Sequence, residues 1–188
     1  MLRTKTVMGL LLIGVFAGLV LTSTGTAWAQ NQTDVFWVAY FNESTNTAID
    51  GNVHIVNPGV NGDTWADIYV FDARQEFKEC CTCFVSADGI LELSLRRLTD
   101  NPWNGVVVNS GVIKIVSDPA ADPDSPTPTP ELRSWITNIN NVVNEERFVP
   151  TPLAPNELSE LSIACHTLPN QTGAGSCADA NPSFCFFN

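Results

Sequence analysis

Short apolar runs alternate with turn-forming residues along most of this chain. "DVFWVAYF" at 34–41 is rich in aromatic and β-branched residues and predicts a strand. Apolar side chains fall on both of its faces, as in a strand covered on two sides. "NVHIV" at 52–56 alternates, with Val53 and Ile55 on one face and His54, read as a surface residue, on the other. "NPG" at 57–59 and "NGD" at 61–63 punctuate the chain, and "ADIYVFD" at 66–72 predicts the next strand. "FVSADGILELSL" at 84–95 reads as a hairpin around Asp88 and Gly89, with Leu91, Leu93 and Leu95 facing inward. "LRRLTDNPWNG" at 95–105 is a polar excursion. "VVVNSGVIKIV" at 106–116 supplies two more short strands around 109–111. Strands at this spacing predict a mainly β fold, an antiparallel β-sandwich of Greek-key or Ig-like type.

The pattern then changes. "SDPAADPDSPTPTPE" at 117–131 is rich in proline and aspartate and reads as an extended surface loop. Asp118, Asp122 and Asp124 are oxygen ligands of the kind calcium takes, but the EF-hand pattern is missing and the prolines fit a solvated loop better. In "LRSWITNINNVV" at 132–143, Leu132, Trp135, Ile136, Ile139 and Val143 match a helical face. The asparagines and β-branched residues favour a strand, which is the reading adopted. "PNELSELSIACHTL" at 155–168 predicts one short C-terminal helix. Asn156 is its expected N-cap, Glu157 and Glu160 lie in its first turn, and Leu158, Leu161 and Cys165 share a face. The remainder to residue 188 reads as a loop-like tail.

The N-terminus is a different kind of segment. "MLRTK", an apolar run from Val7 and the Ala27–Ala29 A-x-A site have the anatomy of a secretory signal peptide over 1–29, cleaved before Gln30. No cysteine lies near that site, which argues against a lipid anchor, and no second long apolar run follows, so no stable membrane insertion is expected after cleavage. The rest, 30–188, has the length of a single domain. Arg3 and Lys5 belong to the leader, so this domain carries seven basic residues against all 20 acidic ones. Such a surface repels phosphate backbones and excludes nucleic acid as a natural partner. Asn31, Asn42 and Asn170 begin N-x-S/T sequons, which matter only in a host that glycosylates them.

All six cysteines follow the leader: Cys80, Cys81 and Cys83 in "ECCTC", then Cys165, Cys177 and Cys185. An even number in an exported chain argues for disulfides. Neighbours on a strand point to opposite faces, so bridges inside the strip are awkward. Three cross-bridges between the early and late groups are the economical solution, which leaves six pairings open. The competing reading is a metal site built from Cys80, Cys81 and Cys83 with Cys165 or His166. Paired zinc spacings are absent; copper(I) tolerates irregular spacing, but an oxidising compartment favours the disulfide. Neither C-x-x-C-H for haem nor C-x-x-C for thioredoxin-like redox work is present, and no metal or other cofactor is implied.

No G-x-S-x-G, H-E-x-x-H or phosphate-binding glycine loop appears. Cys165 and His166 are adjacent on a helix and point about 100° apart, too divergent for a dyad. A catalytic role is therefore not expected. Trp103, in the polar "DNPWNG" segment, is the tryptophan expected to be exposed, a candidate for stacking on a sugar or a partner. An apolar strand at 34–41, near the new N-terminus, also suits strand addition to a neighbouring subunit. The combination of "VHIVNPG", "IYVFD" followed by "ECCTC", and "GVIKIV" resembles a group of uncharacterised secreted bacterial proteins. The resemblance implies export and a shared cysteine framework, and carries no activity or catalytic residue. The expectation is a non-catalytic secreted structural or adhesive protein of the extracellular space or cell surface. Its partners would be further copies of itself, in a polymer or filament, or an extracellular protein or glycan. The alternative is a carbohydrate- or protein-binding module.

Overall fold

The computed structural model describes residues 35–42, 50–101, 106–122, 125–139, 143–171 and 185–186. The chain separates into Met1–Gln30 and Asn31–Asn188. The first unit, with the signal segment expected at 1–29, lies outside the described residues.

In the second unit the strands are β1 (Val35–Asn42), β2 (Asn52–Val56), β3 (Thr64–Asp72), β4 (Phe77–Val85), β5 (Ile90–Ser94), β6 (Asp100–Asn101), β7 (Val106–Val107), β8 (Ser110–Asp118), β9 (Arg133–Ile139), β10 (Val143–Arg147), β11 (Val149–Pro152) and β12 (Cys185–Phe186). Helix α1 (Leu95–Thr99) follows β5, and α2 (Pro155–Gln171) follows β11. One sheet runs β11-β1-β8-β3-β4-β12 and a second runs β10-β9-β2-β5; β6 and β7 form a small ladder of their own. Every pairing is antiparallel. β8 returns late in the chain to lie between β1 and β3, the non-sequential order of Greek-key sandwiches.

The period-2 alternation of each strand builds the core. Trp37, Ala39 and Phe41 of β1, Ile68 and Val70 of β3, and Ile113 and Ile115 of β8 point to the inner face. There they meet Val53, Ile55, Leu91, Leu93 and Ile136 from the other sheet in one buried cluster. The opposite face of the larger sheet is covered as well. Phe36, Tyr69, Cys80 and Val116 form a second buried cluster with Leu161 and Cys165 of α2. Lys114 reinforces this layer: its ammonium lies 4.9 Å from the Phe71 ring centroid and 5.4 Å from that of Phe36, and it pairs with Glu157 on α2. The domain is therefore helix on sheet on sheet. Gly111 permits the close contact of β8 with β3, since a Cβ there would fall 1.9 Å from the Phe71 carbonyl oxygen.

Several local expectations change. Asp88 and Gly89 do not close a hairpin: β4 belongs to the six-stranded sheet and β5 to the four-stranded one. Asp88 has φ +57° while the Gly89 N–H bonds the Ser86 carbonyl, so the turn carries one positive φ and not the two of a type I′ hairpin. It swings the chain from one sheet to the other, with Leu91, Leu93 and Leu95 buried as expected. The buried Asn57 holds this corner. Its amide donates to the carbonyls of Val85 (3.1 Å) and Gly62 (2.7 Å), and its Oδ1 accepts from the Gly59 N–H at 2.9 Å. Gly59, at φ +74°, lies so close to the Asp88 carboxyl that a Cβ would meet Oδ1 at 2.5 Å.

The polar excursion at 95–105 begins with α1, which buries Leu95, Leu98 and Thr99. Ser94 caps it by accepting from the Arg97 N–H, and Asp50 accepts from the Arg96 N–H. The segment 106–116 yields two strands as expected, β7 and β8, the second longer than anticipated; β7 pairs with β6 and β8 with β1 and β3. In the segment 132–143 the described residues bear out the strand: 133–139 form β9 and Val143 opens β10. Helix α2 starts one residue before its expected cap: Pro155 holds the first position, where its missing N–H costs nothing, and Glu157 N–H bonds Ala154 O. Ser117 and Asp118 are not loop residues. They end β8 and are fully buried, and Pro126 and Leu132 are buried further along.

Candidate functional site

The cysteine strip lies on β4, and alternation divides it. Cys80 faces α2, whereas Cys81 and Cys83 face the inter-sheet core. Cys80 bridges Cys165 on α2, with Cα atoms 5.5 Å apart, and Cys83 bridges Cys185 on β12, with Cα atoms 4.0 Å apart. Cys185 is also the cross-strand partner of Cys83 in the β12–β4 ladder. Cys81 is bridged too, and the remaining cysteine of the sequence, Cys177, lies outside the described residues. Cys80 and Cys83 thus both bridge to late cysteines. Sulfurs joined in disulfides are not thiolates, the form that binds metals or attacks as a nucleophile. The strip staples both the covering helix and the C-terminal edge strand to one central strand.

Trp103, the tryptophan expected to be exposed, lies outside the described residues. Strand register creates a different aromatic feature on the outer face of the smaller sheet. Trp135 of β9, His54 of β2 and Glu92 of β5 are direct cross-strand neighbours in one row. The Trp135 and His54 rings stack with centroids 4.8 Å apart and planes 12° apart. That separation equals the spacing of adjacent strands, so the rings stand upright on the sheet. His54 Nε2 lies 3.2 Å from Thr137 Oγ1, and Nδ1 is 3.3 Å from Glu92 Oε1, though poorly aligned for a hydrogen bond. His54 is thus half-buried in a contact network and not a free surface residue. Ile90 and Glu92 beside it are exposed.

A third feature sits on the outer face of the larger sheet. Asp67 of β3 and Asp118 of β8 are both fully buried. Asp67 accepts a 2.7 Å bond from the Thr82 hydroxyl directly across on β4. Asp118 Oδ1 accepts from the Ala120 N–H at 3.0 Å, and the Thr127 N–H donates to the same carboxyl. The Oδ2 atoms of both are buried without a hydrogen-bond partner among the described residues. Burial pushes Asp67 well above the usual carboxylate range, with the Asp118 charge adding to the effect; burial also raises Asp118. The sequence offers one trace of this pair, an aspartate set between Ala66 and Ile68 in an apolar strand. Among the described residues no group of three His, Cys, Asp or Glu is arranged to hold a metal ion.

These features define a class: a mainly β, disulfide-stapled antiparallel sandwich with a helix on one sheet. No protein-family model, curated protein or solved structure matches the chain. No helix among the described residues is long and apolar enough to cross a membrane.

Proposed function

We propose that this is an exported, non-catalytic protein doing structural or adhesive work outside the cytoplasm, and that it meets its partner through the outer face of the four-stranded sheet. The observation that carries this reading is the row Trp135–His54–Glu92 on that face, flanked by exposed Ile90. Aromatic and histidine side chains beside an exposed aliphatic one form the mixed surface that protein interfaces favour. On the other sheet α2 packs over Phe36, Tyr69 and Val116, although Tyr40 of β1 is exposed. The bridges from β4 to α2 and to β12 suit a domain that must keep its shape in an oxidising, proteolytic setting. Strand addition through 34–41 is the weaker route to a polymer. β1 is already hydrogen-bonded along both edges, to β11 and to β8, and donating it would sacrifice two ladders. A flat glycan platform is disfavoured too, since upright stacked rings offer a sugar little open face.

The test uses the chain from residue 30 onward with its bridges intact. Retention on envelopes of the producing cells is measured together with size-exclusion chromatography and negative-stain microscopy. The wild type should be retained or self-assemble. His54→Ala with Trp135→Ala should weaken either behaviour roughly tenfold or more while far-UV circular dichroism stays unchanged. Equal retention of wild type and variant, or a monodisperse monomer that binds nothing, rejects this face as the contact surface.

A further inference from the structure

We propose that the outer edge of β5 is a strand-addition site, which takes an extended segment of a partner protein that carries lysine or arginine at the position facing Glu92. β5 ends the four-stranded sheet and pairs, among the described residues, with β2 alone. Two flanking bonds set the phase of that ladder. The Asn57 N–H bonds the Gly89 carbonyl at 3.0 Å, and the Leu95 N–H bonds the Gly51 carbonyl at 2.8 Å. Bonding toward β2 therefore falls on Leu91 and Leu93, and Ile90 and Glu92 direct their N–H and C=O groups the other way. Their side chains stand on the outer face, where Ile90 is 56% exposed and the Glu92 side chain 61%. A strand laid along this edge meets two residues with open backbone groups and continues the Trp135–His54–Glu92 row by one position.

The other three sheet edges each carry a device against such addition. β11 holds Pro150 and Pro152, which have no N–H to give. β12 is two residues long, and the sequence of β10, VNEER, is charged at three of its five positions. β5, with the sequence ILELS, has neither proline nor lysine, and its single charge selects the occupant. Glu92 favours a cation on the facing residue and opposes an anion. The domain as a whole, with seven basic residues against 20 acidic ones, favours the same sign. A second copy of this chain fits poorly. Antiparallel registers that bring Glu92 into a β5–β5 ladder set the two Glu92 carboxylates opposite or diagonal on one face. The site rests on the proposal that this sheet is the contact surface, and it adds the chemistry of the partner.

The experiment is amide hydrogen exchange at neutral pH on the disulfide-intact chain from residue 30, with short end-blocked peptides as probes. One peptide alternates valine with lysine and another valine with glutamate. Without peptide, the Ile90 and Glu92 amides should exchange roughly tenfold or more faster than those of Leu91 and Leu93. The lysine peptide should slow both roughly tenfold and the glutamate peptide should not; in Glu92→Lys the two peptides should exchange roles. N-methylation of the lysines, whose N–H groups face β5 in an antiparallel ladder, should abolish the effect, and N-methylation of the valines should spare it. Ile90 and Glu92 amides already protected without peptide, no slowing by any peptide, or equal slowing by both charges overturns the proposal. Self-association that protects the same two amides also overturns it, by assigning the edge to a second copy. The variant with His54→Ala and Trp135→Ala keeps the β5 backbone, so peptide protection should persist in it whether or not envelope retention does, and the two readings fail separately.

Discussion

Replacing Cys80 and Cys165 together by alanine should lower stability by about 3–5 kcal/mol and uncover an apolar face. The bridge spans 85 residues, a long loop whose freedom in the unfolded chain it removes. Both cysteines are buried, so alanine leaves no stranded hydroxyl. The loss has a local signature. Without the bridge, α2 is held to the sheet chiefly by Leu161 and the single, part-buried Lys114–Glu157 pair. Phe36, Tyr69 and Val116 should then become accessible, and a dye specific for exposed apolar surface should bind the folded variant but not the wild type. Urea denaturation supplies the stability and dye fluorescence the location. An unchanged midpoint with no dye binding would mean that the helix holds its place by packing alone.

Phe41→Ala should cost a similar amount, about 3–5 kcal/mol, through the cavity it opens between the sheets. Phe41 is fully buried in the inter-sheet cluster and paired with Gly111 of β8, so the surroundings have little room to collapse. Its neighbour Tyr40 is 48% exposed on the other face. Tyr40→Ala should change stability by no more than about 0.5–1 kcal/mol. The contrast, read from denaturation midpoints, tests the facing of β1 at two consecutive positions; equal costs would indicate a different register.

What the sequence made legible was whatever depends on local chemistry. Alternation placed Leu91, Leu93 and Leu95 inside, separated Cys80 from Cys81 and Cys83, and favoured a strand at 132–143. The period of "PNELSELSIACHTL" placed Leu161 and Cys165 on the face that docks. What stayed hidden depends on which strands meet. Asp88-Gly89 carries hairpin chemistry, but whether the strands that flank it pair is decided by the sheets they join. The Trp135–His54 stack and the Asp67–Asp118 pair exist only because β9 lies beside β2, and β3 beside β8, in one register, and single strands carry no mark of that. α1 was hidden by scale: its Ser94 cap and the Leu95–Leu98 spacing make a single turn, which a polar composition obscures.

The central claim is that "ECCTC" is a staple rather than a reactive centre. A non-reducing peptide map of the chain from residue 30, with thiol and metal analysis of the same sample, tests it most directly. The expected result is one linked species that joins the peptide carrying Cys80, Cys81 and Cys83 to those carrying Cys165 and Cys185, with fragmentation assigning Cys80 to Cys165 and Cys83 to Cys185, no free thiol and no bound metal. Free thiols at Cys80, Cys81 and Cys83 accompanied by zinc or copper would contradict it.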